Sequence, residues 1–270
     1  MTTVVVVQAR MRSTRLPGKV LLPLAGKPLL ERQIERILAA NSGFEVCVAT
    51  TTSSDDDPIR ELCRRISVRV FDGHPHDLLD RHYRVGVARN ADTVLKIPSD
   101  CPLIDPAAID RVLAVYDSGA GELDFATNLF PPTWPDGNDV EVMSMATLAC
   151  AFQNADRQFE REHTTPFIWE RPERFRIANV TWETGFDFSK THRFTIDHAE
   201  DYSFVNRIYG ELCSAQRPVF SLPEILQLLE DQPEISQLNA KYRGQSWHLA
   251  HAGELRHFRP EGAGVTWRHS

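Results

Sequence analysis

A doubly wound, mostly parallel α/β sheet is the fold this sequence predicts, and three observations carry that reading. Short β-branched runs alternate with single amphipathic stretches from Val4 to Tyr116, the pattern of strands joined by helical crossovers. The first run, Val4 to Val7, is unbroken, as a strand buried on both faces requires. Proline and Asp-Pro signals stand at the helix starts, where a missing N–H costs nothing and a carboxylate caps free amides. With 270 residues, 42% of them apolar, the chain can bury one large core, with or without an appendage.

The first strand runs into Gln8-Ala9-Arg10-Met11-Arg12-Ser13-Thr14-Arg15-Leu16-Pro17-Gly18-Lys19, a loop at a strand's C-terminal end, where open α/β sheets bind ligands. Before Glu31 the chain carries Arg10, Arg12, Arg15, Lys19 and Lys27 and no acid, in a protein of formal charge -7. A local positive field in an acidic protein needs an anionic partner, and guanidinium groups suit multidentate phosphate recognition. Ser13 and Thr14 add hydroxyls, and Gly18 leaves room for backbone amides to approach oxygens. Residues 8–19 therefore read as a polyphosphate cradle. It is not a P-loop, because the Gly-x4-Gly-Lys-Ser/Thr spacing is absent.

Pro28 opens a helix with Leu30, Ile34, Ile37 and Leu38 at i, i+4, i+7, i+8 spacing. Glu45 to Thr50 reads as a strand, Asp57-Pro58 as the cap of a helix with Ile59, Leu62, Cys63 and Ile66 on one face, and Val68 to Phe71 as the next strand. The Asp55-Asp56-Asp57 run belongs to that cap rather than to an Asp-x-Asp metal motif. Gly73 allows close approach at the following turn. Asp77 then starts a helix with Leu79, Tyr83 and Val87 inward, on which Arg81 either donates to a ligand or faces solvent. His74 and His76 lack a third ligand and read as loop residues.

Thr93 to Pro98 is a further strand, and Asp105-Pro106 caps a helix bearing Ile109, Val112, Leu113 and Tyr116. Asp100 stands directly beyond that strand, on the same sheet edge as the cradle. A carboxylate there is placed to hold Mg²⁺, which takes few carboxylates together with phosphate oxygens. Cys101 has no paired base in sequence and reads as a buried thiol.

The alternation breaks near Asn128, where Pro131-Pro132, Pro135 and Asp136-Gly137-Asn138-Asp139 read as turns leading into a short strand. Asp139 and Glu141 share one face of it, to meet sugar hydroxyls or water. Phe175 to Val180 and His192 to Ile196 read as further strands, the second ending at Asp197 before the acidic helix start Glu200-Asp201. Alone, Asp197 reads equally as a cap or a ligand. Ser221 and Glu224 stand at capping-box spacing before Ile225, Leu226 and Leu229. The expected organisation is one domain over 1–244, with an excursion over about 128–190 and a helical appendage over about 219–244, then a flexible tail over 245–270.

Several of these stretches together resemble one family. Gln-Ala-Arg-Met-x-Ser-Thr-Arg-Leu-Pro-Gly-Lys, residues 8–19, is similar to the signature of the spore-coat-polysaccharide F-type cytidylyltransferases, relatives of CMP-KDO and acylneuraminate cytidylyltransferases. The resemblance spans about residues 4 to 240 and includes the segments Asp100 to Asp105, Pro135 to Val142, Glu160 to Phe167 and Arg193 to Asp201. Arg12 stands where the family usually has Gly, and His198-Ala199 where it commonly has Glu-Pro.

The resemblance implies a Rossmann-like, GT-A-like nucleotidyltransferase that uses Mg²⁺ and a nucleoside triphosphate, CTP first, and transfers the nucleoside monophosphate with release of pyrophosphate. Gln8, Ala9, Arg10, Ser13, Arg15, Lys19, Gly73, Arg81 and Asp100 would bind nucleotide, with the Gly73 neighbourhood facing the base. Arg10, Arg15 and Lys19 would neutralise the β- and γ-phosphates, and Asp100 and Asp197 would hold the metal. Asp136, Asp139, Glu141, His163 and Arg193 would meet the acceptor, a sugar, sugar acid, sugar phosphate or phosphonate, as in polysaccharide biosynthesis. Relatives of this fold suggest a homodimer.

The five cysteines, Cys47, Cys63, Cys101, Cys150 and Cys213, are odd in number and lack Cys-x-x-Cys spacing, which fits a reducing cytoplasm and neither a disulfide framework nor a zinc site. No apolar run is long enough to span a bilayer and no basic stretch precedes the Val run, so no membrane partner is expected. The acidic balance argues against nucleic acid. Two other classes share this kind of domain. A nucleotide-sugar-dependent glycosyltransferase would show Asp-x-Asp after a strand, which Ser99-Asp100-Cys101 lacks, and a non-catalytic nucleotide- or sugar-binding protein has less use for both Asp100 and Asp197.

Overall fold

The computed structural model describes residues 1–119, 121–245, 253–255 and 268–269. Strand β1 (Thr3–Gln8) places Val5 and Val7 in one apolar cluster and Val4 and Val6 in another, all fully buried. Successive side chains point to opposite faces, so the unbroken run gains burial on both sides, about 1.5–3 kcal/mol per side chain. A 3-10 turn at Lys19–Leu21 leads into a small hairpin of β2 (Pro23–Leu24) and β3 (Lys27–Pro28), then α1 (Leu29–Leu38). β4 (Glu45–Thr51), α2 (Asp57–Arg65), β5 (Arg69–Gly73), α3 (Leu78–Ala88), β6 (Thr93–Pro98) and α4 (Pro106–Ser118) follow.

β5, β4, β1 and β6 lie side by side in that spatial order, all parallel. The sheet first grows outward from β1 through β4 to β5 and then restarts on β1's other side with β6. The crevice beyond the C-terminal ends of β1 and β6 is therefore a topological switch point, the expected ligand position in such sheets.

Past β6 the sheet changes character. β7 (Phe125–Thr127) is followed by β8 (Glu141–Ser144), which runs antiparallel to both β6 and β7. Helices α5 (Met145–Asn154), α6 (Gln158–His163) and α7 (Pro166–Trp169) lead to β9 (Ile177–Asn179), parallel to β7. Then come α8 (Ala199–Leu212), α9 (Leu222–Asp231) and α10 (Pro233–Gln237), and β10 (Arg268–His269) pairs with β9. The sheet is mostly parallel, in the order β10-β9-β7-β8-β6-β1-β4-β5.

Helices α1, α2 and α4 cover one face through Ile34, Ile59 and Val112, and α3, α5 and α7 the other through Leu79, Leu148 and Ile168. The helices expected as an appendage instead share a third core cluster with Leu24, Leu29 and Leu103. Tyr209 of α8 donates to the Pro102 carbonyl at 2.8 Å, and the Leu222 amide donates to Asp105, whose other oxygen caps α4. The Ser221/Glu224 capping box is formed.

Some local expectations are corrected. Leu38 and Val87 are exposed, at 55% and 53%. Each i+4 step advances about 40° beyond a full turn, so Val87 has rotated off the face that buries Leu79 and Val85, and Leu38 closes α1 outside the Ile34/Ile37 stripe. Pro28 is the N-cap of α1 rather than its first residue. Asp57 does not cap α2; it pairs with Arg60, while Asp55 pairs with Arg12 and Asp56 accepts from Thr51 and Met11. His192 to Ile196 is not a sheet strand but an extended segment holding one bridge, Arg193 to Asp136. The expected flexible tail lies, apart from residues 245, 253–255 and 268–269, outside the described residues. Among the described residues no helix is long and apolar enough to cross a membrane.

Candidate functional site

The cradle begins where β1 stops pairing. The Ala9 amide still bonds to the Ala49 carbonyl at 3.0 Å, and the chain then folds over itself, with the Ser13 and Gly18 amides both donating to the Met11 carbonyl at 3.0 and 2.9 Å. Gly18 is left-handed, φ 70°, which permits that return and starts the 3-10 turn that carries Lys19. Asp56 fixes the loop's base by accepting from the Met11 amide at 2.7 Å.

Lys19 is the centre of the site. Its Nζ lies 3.1 Å from Oδ2 of Asp100, 3.1 Å from Oδ1 of Asp197 and 2.5 Å from the Ile196 carbonyl. Asp100 arrives just beyond β6, next to β1 in register through the Gln8–Pro98 pair, and Asp197 arrives just before α8. Burial works against the Lys19 ammonium, but the charges of Asp100 and Asp197 and their hydrogen bonds outweigh it and hold its pKa above the ordinary value. Burial likewise works against ionised Asp197, and Lys19 and Arg15 outweigh it, leaving its pKa lowered. Arg15 adds a 2.7 Å bond to the same oxygen of Asp197.

These groups wall a cleft of about 220 Å³ with Gln8, Ala9, Arg10 and Ser13. Arg81 lines it too, only 1% exposed, so it is not a solvated helix arginine. Its guanidinium donates to the Ala49 carbonyl at 3.3 Å while its Nε has no partner among the described residues. Burial, and then the neighbouring charge of Arg10, push its pKa down to about 10. An electron-rich ligand would relieve both effects. Gly73 is the exception among the expected nucleotide residues: it lines neither cleft. A Cβ there would lie 2.6 Å from Cγ of Arg81, so the glycine makes room for that side chain. Arg12 points out to Asp55, with its side chain 80% exposed. Cys101 is buried, which pushes its thiol well up and leaves it unsuited to nucleophilic attack.

A second cleft of about 190 Å³ opens on the other side of Asp100 and Asp197 and gathers Asp136, Asp139, Glu141, His163 and Arg193. Arg193 is a hub: it donates to Asp201 at 3.0 and 3.2 Å, to Asp197 at 3.1 Å, to Asp136 at 3.3 Å and to the Gln245 carbonyl at 3.0 Å. Asp201 in turn accepts from the Asp197 and His198 amides, both at 3.0 Å, and so fixes Asp197 at the start of α8. Gly137, φ 102°, lets the turn press against Phe194, since a Cβ would fall 2.9 Å from that residue's carbonyl carbon. Burial first, then Asp100, raise the Asp139 pKa to about 6, and burial with Asp139 raises Asp136 well above the ordinary value.

Glu141 does not face water. It is 2% exposed and forms a cross-strand ion pair with Lys96, its register partner on β6. Lys96 was missed in the sequence, although it is the one charge in an otherwise buried strand. Glu162, Thr195 and Gln245 also line this cleft, and Thr14, Leu78 and Ser99 the first. Thr195 and Glu162 lie inside motifs already quoted, and Leu78 opens the helix that carries Arg81, in the neighbourhood expected to face the base, whereas nothing marked Gln245.

Among the described residues, no three His, Cys, Asp or Glu side chains form a metal cage. Mg²⁺ bound together with a triphosphate needs only one or two carboxylates, and two hard carboxylates converging on a single ammonium fit that requirement.

A family model described as "Cytidylyltransferase" matches residues 4–246. The chain is 30% identical to the spore coat polysaccharide biosynthesis protein SpsF of Bacillus subtilis over 85% of this chain and 94% of that protein. It is 37% identical to a 3-deoxy-manno-octulosonate cytidylyltransferase of Geobacter sulfurreducens, over 42% of this chain and 45% of that protein. A solved cytidylyltransferase from Leptospira borgpetersenii superposes with a TM-score of 0.82 at 31% identity, covering 88% of this chain and 97% of that one.

Proposed function

The chain belongs to the cytidylyltransferase family, and from that premise we propose that it transfers CMP from CTP to an oxygen of a small sugar-like acceptor, with Mg²⁺, and releases pyrophosphate. The observation that carries this reading is the shared Lys19 ammonium: Asp100 and Asp197 meet on it at the switch point, beside Arg10 and Arg15. A triphosphate entering that crevice brings negative charge to Arg10, Arg15 and Lys19. Their bonds to phosphate replace those that Arg15 and Lys19 make to carboxylate, and charge-assisted pairs of this kind are strong. Asp100 and Oδ1 of Asp197 would then be available to hold Mg²⁺, with Arg193 keeping the other Asp197 oxygen, and the metal would supply neutralisation of phosphate charge.

Gln8 and Asp100 line both clefts, and in this reading the α-phosphate is placed at that junction. The buried Oε1 of Gln8, an acceptor with no partner among the described residues, would take an N–H or O–H of the nucleotide or the acceptor rather than a phosphate oxygen. An acceptor seated in the second cleft has its oxygen aimed across Asp100 at that phosphorus. The new P–O bond forms as the bond to the β-phosphate breaks, a hydroxyl acceptor gives its proton up to solvent, and Lys19, Arg10 and Arg15 bind the departing pyrophosphate. The side chains of the second cleft orient the acceptor, which supplies much of the rate through position alone.

The reading is tested by incubating the protein with each of the four NTPs, Mg²⁺ and pooled sugars, sugar acids, sugar phosphates and phosphonates, following pyrophosphate and product mass. Pyrophosphate together with a CMP adduct, and with CTP only, is the expected result. Thermal stabilisation by a nucleotide sugar with no pyrophosphate from any NTP would replace this reading with a glycosyltransferase or a binding protein.

A further inference from the structure

Of the non-glycine residues with positive φ among those described, Ala25, Ser67 and Asn90 are exposed, and Thr164 is fully buried. It is also β-branched, the kind of side chain that this region tolerates least. At φ 74° and ψ -56° it is the centre of a γ-turn, with the Thr165 amide donating to the His163 carbonyl at 2.9 Å, a rare and strained corner. Thr165 holds ψ -12° directly before Pro166, where helical backbone is disfavoured. Two consecutive residues thus sit in unfavourable conformations at the end of α6, whose last residues, Glu162 and His163, line the second cleft. Strain of this kind persists only where the surroundings over-determine it, and it gathers at functional sites.

Glycine would take the same corner without strain, so the threonine side chain contributes something that glycine lacks. Its Oγ1 lies 3.5 Å from Nδ1 of His82, a fully buried residue of α3. That nitrogen donates to the Leu78 carbonyl at 2.8 Å, which fixes the orientation of the ring. A second tie joins the same two helices. Asp77 caps α3 through the Asp80 amide at 2.8 Å and accepts from Nε of Arg161 on α6 at 2.5 Å. The helix so held begins at Leu78, which lines both clefts, and carries Arg81 into the first.

We propose that Thr164 is a positioning residue: its side chain keys the His163 corner onto α3 and, with the Asp77–Arg161 pair, sets the acceptor wall against the nucleotide wall. This rests on reading the second cleft as the acceptor side of a transferase. A wall held from the nucleotide side presents the acceptor at one distance and angle from the phosphorus, and a misplacement of about 1 Å lowers the rate by up to about 10²-fold.

The test uses the whole chain with Thr164→Gly, Thr164→Ser and Asp77→Asn, the last keeping a capping side chain for α3 while dropping the charge that Arg161 meets. Kinetics are run with CTP, Mg²⁺ and the acceptor that yields the CMP adduct in the pyrophosphate assay. Thr164→Gly and Asp77→Asn are each expected to lower kcat/KM for that acceptor about tenfold, with KM for CTP unchanged within about twofold and the melting temperature within a few degrees. Thr164→Ser is expected to restore the parent values. Undiminished kcat/KM in both variants overturns the inference, as does a fall shared equally by CTP and acceptor, the mark of a merely structural role. Amide hydrogen exchange gives a readout that needs no turnover. Asp77→Asn, a change on α3, is expected to speed exchange across residues 160–165 about tenfold, and unchanged exchange there sinks the proposal. A parent chain that releases no pyrophosphate with any NTP removes the transferase instead, and exchange alone then decides the α3–α6 lock.

Discussion

Lys19 and Asp100, 81 positions apart in the chain, meet at 3.1 Å in the crevice between β1 and β6. Asp197 shares the same ammonium from a third part of the chain. In the reaction proposed above, Asp100→Asn keeps the shape and removes the charge. Turnover is expected to fall by about 10²–10³-fold while the melting temperature stays within a few degrees, and wild-type turnover would take Asp100 out of the site.

Arg15→Ala separates binding from folding. The Arg15 side chain is more than half exposed, and its mostly buried partner Asp197 keeps Lys19 and Arg193, so loss of stability should be within about 1 kcal/mol. The Kd for CTP should rise about tenfold, the worth of one charge-assisted bond to phosphate, with the KM for acceptor little changed. Calorimetry with CTP and with CMP distinguishes the cases, since a contact to β- or γ-phosphate is absent in CMP.

Gly73→Ala tests the packing of Arg81. The new methyl would fall 2.6 Å from Cγ of Arg81, close to the backbone end of that side chain, where a shift of the guanidinium alone does not relieve the clash. A loss of about 1–3 kcal/mol on urea denaturation is expected, together with weaker CTP binding as Arg81 shifts. A neutral substitution would mean that Arg81 has a second resting place.

Lys96→Met leaves Glu141 charged and buried, a change expected to cost about 3–5 kcal/mol. Replacing both, as Lys96→Met with Glu141→Leu, should recover most of the stability and none of the acceptor binding. If the double variant is as unstable as the single one, the cost lies in packing rather than in the stranded charge.

Asp139 carries a pH signature. Its ordinary pKa is 3.8 and the folded protein raises it to about 6, so between these values the folded state holds a proton that the unfolded state has lost. Stability contributed by this group is full below the lower value and is lost as pH rises through the higher one. Asp136 is shifted in the same direction. Asp139→Asn should therefore gain in melting temperature over the parent across that window and hold the gain above it, and a gap that does not change with pH would contradict the shift.

The parts of this molecule legible in the sequence are the local ones. The strand–helix alternation marked the parallel half, because each unit carries its own periodicity, and the cluster of cations after β1 announced itself by charge alone. Asp100 and Asp197 were visible as carboxylates following extended segments. What escaped depends on pairing between distant segments. The antiparallel run of β8 decides that Glu141 faces Lys96, and no local pattern states which strand will lie beside β6. Gly73 was read as a ligand's neighbour, since its contact is a side chain from the next helix. The C-terminal helices passed for an appendage, as their apolar stripe does not reveal that Leu24 and Leu103 supply the other half of the cluster.

Thr127 at the end of β7 pairs with Glu141 at the start of β8, so the stretch 128–140 between them leaves the sheet and comes back to where it left. Its two ends are pinned by neighbouring strands whatever its length. Within it Asp136 shares Arg193 with Asp197, and Asn138 accepts the Asp105 amide, so a change of length or sequence that keeps those two ties would leave β1, β6 and Asp100 where they are. If the reaction proposed above holds, the rest of that detour can vary with the acceptor while the phosphate side is inherited unchanged, and grafting it between relatives with both ties kept would change the product without touching the nucleotide.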